Sequence, residues 1–154
     1  MALVDELDAD LRRAMKARDR FTVDAIRMLK TKIVARSTAS KRQRLEADDE
    51  LVRDAIVAYR NEMTRTLRQY ASYGDRGFEH ADQLVHEIGV CERYVPPLLD
   101  QAAVRALVRD AIASGLDRVG EVVGHVMRAH RHEVLGDDVV AIARELMPRD
   151  SVDK

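Results

Sequence analysis

Tyr94-Val95-Pro96-Pro97 is the stretch that most limits what this chain can fold into. Two adjacent prolines remove two backbone donors and push the residues before them out of helical geometry, so a helix has to end there. On both sides apolar residues recur at three- and four-residue steps, the mark of helices. The prolines therefore divide the chain into an N-terminal helical lobe over residues 1–95 and a smaller C-terminal lobe over residues 96–148, followed by a polar tail at 149–154. With 34% charged residues, 4% aromatic residues and no Trp, composition favours solvated helices over a sheet. The predicted class is all-α, with about four helices before the joint and three after it.

Leu3, Leu7, Leu11, Ala14 and Met15 place a first helix over about Ala2 to Ala17. After a break at Asp19 and Arg20, Val23, Ile26, Leu29 and Ile33 place a second, reaching Ala35 or beyond and pairing with the first as a hairpin. Residues 37–44 turn polar and basic, which reads as a frayed helix end or a loop. Asp48 or Asp49 is suited to cap a third helix, the longest, whose stripe of Val52, Ile56, Tyr59, Met63, Leu67 and Tyr70 runs to Tyr73. Gly74-Asp75-Arg76-Gly77 ends it, and Ala81, Leu84, Ile88, Cys91 and Val95 define the returning helix. Beyond the prolines, Asp100 caps a helix that Ser114-Gly115 terminates. A second follows from about Val119 to Glu133, and Gly136-Asp137-Asp138 breaks and recaps the chain for the last.

The balance of 26 basic against 27 acidic side chains gives a net charge of -1, so attraction to nucleic acid or an anionic membrane has to be local. Cys91 is the one cysteine, which excludes an internal disulfide and fits a reducing compartment. The first residues carry acids where a secretory leader needs a basic head, and no apolar run suits a membrane span. A cytoplasmic protein is the expectation.

Arg27, Lys30, Lys32, Arg36, Lys41, Arg42 and Arg44 form a run of seven cations with no acid among them. A phosphate backbone rewards such a run by counterion release. The plainer reading is a solvated face, because Arg27 with Lys30 and Lys32 with Arg36 flank the apolar stripe on opposite sides. On the third helix Arg60, Asn61, Arg65 and Arg68 are expected on one exposed arc, with Asp54 and Glu62 beside it for intrahelical ion pairs. Gly120 and Gly124 stand one turn apart. That spacing favours close helix packing, and alternatively leaves a bare groove for an RNA backbone or a partner helix. His130-Arg131-His132-Glu133 does not make a metal site, since residues two apart on a helix diverge. Cys91 falls on the apolar stripe as a core thiol, whereas His80 and His86 face solvent.

No phosphate loop, nucleophile elbow or His-Glu-x-x-His pair occurs, and a helical metal site would need Glu-x-x-His on facing helices. No catalytic residue, metal or cofactor is therefore assigned, and a binding protein is favoured over an enzyme.

Ile26-Arg27-Met28-Leu29-Lys30, the stretch from Tyr70 to Arg76, Glu92-Arg93-Tyr94-Val95-Pro96 and the helix carrying Gly120 and Gly124 together resemble the YqeY-like proteins. These are free-standing relatives of the tail of the B subunit of aspartyl/glutamyl-tRNA amidotransferase, GatB, and the resemblance spans about Leu3 to Met147. It implies a larger helical lobe followed by a three-helix lobe, and a part in tRNA recognition. Glutamine-dependent amide transfer, a carbon-nitrogen ligase reaction, would belong to other domains and subunits. The resemblance points to Arg128, Arg131, Gly120 and Gly124 as RNA contacts, with Arg27, Lys30, Lys41, Arg42 and Arg44 as secondary ones. tRNA is the implied partner, with an amidotransferase or an aminoacyl-tRNA synthetase beside it. One departure matters: relatives usually offer a Lys between the two glycines and a basic, Gly-rich segment before the last helix. Here stand Glu121 and then Glu133, Asp137 and Asp138, which weaken phosphate attraction. The alternative function is a helical adaptor that docks a partner protein without RNA.

Overall fold

The computed structural model describes residues 2–39, 48–74 and 78–148. Among these, all regular structure is helical: α1 (Leu3–Lys16), α2 (Arg20–Ala39), α3 (Asp49–Ala71), α4 (Phe78–Cys91), α5 (Gln101–Ala113), α6 (Val119–His130) and α7 (Gly136–Leu146). No strand is present among the described residues, and no helix is long and apolar enough to cross a membrane. The chain forms two compact units, residues 1–95 and 96–154.

In the first unit the helix starts are held by carboxylates. Asp49 Oδ1 accepts from the Leu3 amide at 2.9 Å, so the first helix is capped from the third. Asp19 accepts from the amide and the hydroxyl of Thr22 at the start of α2, and these bonds hold its carboxyl below its usual pKa. Between α1 and α2 the chain reverses through Arg18, a non-glycine residue at φ 57°. Asp48 caps α3 by accepting from the Leu51 amide at 2.8 Å. The core joins Leu3 and Leu7 of α1, Ala25, Ile26, Leu29 and Ile33 of α2, Val52, Ala55, Ile56, Val57 and Met63 of α3, and Val90 and Cys91 of α4. Val95 belongs to the same core although α4 stops at Cys91. The following residues turn, with the Tyr94 and Val95 amides both donating to the Cys91 carbonyl, because Pro96 disfavours helical angles at the residue before it.

In the second unit Asp100 accepts from the Ala103 amide at 2.8 Å, and Gly115 at φ 108° ends α5 in a conformation that suits glycine. Val104, Val108, Ala111, Val122, Val126, Val134, Val139, Ile142 and Ala143 make its core. The Leu99 amide donates to the Glu133 carbonyl at 2.8 Å and ties the start of this unit to the turn after α6.

Helix α2 runs beyond Ala35 to Ala39, within the sequence expectation, while residues 40–44, with Lys41, Arg42 and Arg44, and the tail from residue 149 lie outside the described residues. Three boundaries differ from the sequence expectation. The third helix ends two residues before Tyr73, and α6 ends at His130. Gly136 does not break the chain but opens α7: Leu135 occupies the cap position, and Asp137 and Asp138 lie in the first turn, where the helix dipole favours them.

Candidate nucleic-acid interface

Helix α6 buries Val122 and Val126. At 100° per residue, Gly120, Gly124, Arg128 and Arg131 follow one another at steps of four, four and three, and so share a single strip. Arg131 keeps right-handed helical angles at the C-cap and continues the line. Gly120, Arg128 and Arg131 are exposed. A methyl group at Gly120 would meet nothing within 4 Å, and one at Gly124 would meet only Nη1 of Arg128, at 3.3 Å.

The expectation that these glycines permit close packing is thereby corrected. Their spacing is right, but the helix turns its valines inward and its glycines out. Arg128 lies back over Gly124 in space that a β-carbon would crowd. At the start of α6 the Arg118 side chain, in the cap position, makes no capping hydrogen bond. A bare backbone at Gly120 and two guanidinium groups on one face suit an anion, because phosphate oxygens accept from arginine in charge-assisted hydrogen bonds.

The acids flagged beside this strip are placed as follows. Glu121 is exposed in the first turn of α6. Glu133 is engaged by His130, whose Nδ1 is 3.0 Å from its Oε2. Asp137 and Asp138 sit at the start of α7. Arg131 directs its Nε toward Nε2 of His132 at 3.1 Å. Among the described residues no cluster of three His, Cys, Asp or Glu is arranged to hold a metal ion.

The cations of the first unit are used differently. Lys30 pairs with Asp8 of α1. Lys32 stands 3.8 Å from Glu62 of α3 and 5.5 Å from the centre of the Tyr59 ring. Both therefore fasten α2 to its neighbours, whereas Arg27 and Arg36 are exposed. Arg60 is the larger correction: expected on the exposed arc, it is 0% accessible. Its Nε donates to Asn61 Oδ1 at 3.0 Å, and burial lowers its pKa while the charge of Glu92 works to raise it. Arg65 and Arg68 stay exposed, so the arc is broken. No buried side-chain nitrogen or oxygen among the described residues lacks a hydrogen-bond partner. Glu62 reaches across to Lys32 of α2. Burial also pushes the Cys91 thiol up to about 12, consistent with its place on the apolar stripe. At the far end of α3, Tyr70 stacks on His80 with ring centroids 5.4 Å apart.

These observations define a class: a helical protein of two compact units whose second unit carries a glycine-marked cationic strip. A family model described as Yqey-like protein matches residues 4–146, and the chain belongs to that family. No curated protein matches it.

Proposed function

We propose that this chain is a tRNA-associated accessory protein that binds through α6 and performs no chemistry of its own. The observation that carries this reading is the strip of Gly120, Gly124, Arg128 and Arg131, exposed at Gly120 and at both arginines and half-buried at Gly124. Two glycines inside one helix cost stability, about 1 kcal/mol each relative to Ala. No packing in the structure repays that cost, whereas close approach of a phosphate backbone would. In this reading a phosphate approaches the open backbone at Gly120, and Arg128 swings off Gly124 to pair with the next one along the strand. Arg27 and Arg36 are secondary contacts from α2, while Lys30 is held by Asp8. The family's likeness to the GatB tail supports tRNA as the ligand and an amidotransferase or aminoacyl-tRNA synthetase as the enzyme that acts on it.

The test is a titration of labelled tRNA at several salt concentrations. Replacing Arg128 and Arg131 together by Ala is expected to weaken binding about tenfold or more and to reduce the slope of log K against log salt by about 2, one per lost phosphate contact. Absence of saturable binding by the unaltered chain at low salt overturns the proposal. An unchanged slope in the double variant moves the contact away from α6.

A further inference from the structure

Helices α2 and α4 of the first unit enclose a cleft of about 300 Å³, lined by Phe21 from α2 and by Glu79, Asp82, Gln83 and His86 from α4. Its chemistry is opposite in sign to that of the α6 strip. Phe21 is 64% exposed and stands edge-to-face with the His86 ring, with centroids 5.7 Å apart and planes at 65°. Glu79 and Asp82 are both exposed, and neither has an ion-pair partner among the described residues. Val85 is 54% exposed and neighbours Asp82 and Gly89 along α4, and at Gly89 a β-carbon would meet nothing within 4 Å. An open aromatic face beside two carboxylates without ion-pair partners complements a cationic guest.

We propose that this cleft is a docking point for an arginine side chain presented by a partner polypeptide. A guanidinium combines what the cleft asks of a guest. It is planar and weakly hydrated enough to lie on the Phe21 ring, it is permanently charged, and its forked donors match a carboxylate such as Glu79 or Asp82. A lysine satisfies the charge but not the plane. A polyanion satisfies neither and is repelled by both acids, which separates this surface from the RNA strip and makes the proposal independent of it. Apolar residues flanking the arginine would cover Val85 and the open backbone at Gly89.

The decisive measurement follows amide shifts of the isotope-labelled full chain during titration with N-acetyl-arginine methylamide, using the neutral citrulline analogue as the control. The arginine probe is expected to give saturable shifts centred on Phe21, Asp82 and His86, with affinity at least about tenfold above that of the citrulline probe. Glu79→Gln with Asp82→Asn should remove that preference, and Phe21→Ala should weaken both probes. All three side chains are surface-placed, so the spectrum of each variant also reports that the fold is intact. Equal shifts from the two probes, shifts spread over the whole surface, or an undiminished preference in the carboxamide variant overturn the proposal. Shifts at these same amides on adding tRNA would overturn it as well.

Discussion

Arg60 and Arg128 are both helical arginines, yet one is sealed inside the first unit and the other lies on bare backbone in the second. The difference comes from how many neighbours each helix has. Helix α3 is packed against α1, α2 and α4, so its buried arc is wide enough to take in a guanidinium. Within its own unit, among the described residues, α6 packs on α5 and α7, and its glycine strip faces away from both. Lys30 and Lys32 follow Arg60 in serving the packing of the first unit. Arginine content alone therefore says little about anion binding; what matters is whether the helix has a free side.

Three measurements would break or sharpen this contrast. The largest effect is expected for Arg60→Ala, which empties a fully buried position and leaves the surrounding polar groups without their partner. A loss of about 3–5 kcal/mol in urea unfolding is expected, the range for removing one member of a buried charged network. All four tyrosines, Tyr59, Tyr70, Tyr73 and Tyr94, lie in the first unit and the chain has no Trp, so intrinsic fluorescence reports that unit. A loss under about 0.5 kcal/mol would return Arg60 to the surface.

Next comes Cys91, whose thiol is raised by burial to about 12 in the folded chain. The folded state therefore holds a proton that the unfolded state releases near pH 9. The thiol's contribution is complete below that pH and is lost as pH rises toward 12. Labelling by a thiol reagent at pH 8 is expected to be about a hundredfold slower or more in the folded chain than in urea, since the thiolate is the reactive form. Rapid labelling without urea would show that the first core opens readily.

The smallest effect has the opposite sign. Gly120→Ala meets no atom and should stabilise the second unit by about 0.5–1 kcal/mol, read by circular dichroism on heating, while weakening tRNA binding. Destabilisation would restore the close-packing reading of the glycine pair.

Much of the architecture was legible from periodicity and caps. Asp48 and Asp100 stand where capping chemistry places them, and the stripes of α1 and α2 supply Leu3, Leu7, Ile26, Leu29 and Ile33 to the core, although Met15, placed on the first stripe, is exposed. Helix ends were less legible, because apolar residues continue past them. Val95 is buried through a turn after α4, and Val134 and Leu135 through the turn after α6. Arg60 was missed because a charged residue was counted as polar before the width of the buried arc on α3 was known. The glycine strip carried a usable signal that was passed over. Val122 and Val126 point about 200° away from Gly120 and Gly124, so once the valines are assigned to the core the glycines cannot be. No comparable signal announced the cleft, since Phe21 and His86 meet only after α2 and α4 have packed.

The hydrogen bond from Leu99 to the Glu133 carbonyl has a mechanical consequence. Leu99 is the second residue after the prolines, and Glu133 is the second after Arg131. A tug transmitted down the chain from Pro97 is thus delivered first to the turn that ends the cationic strip, ahead of any core valine of the second unit. One short loop thus receives whatever load the segment after the prolines carries.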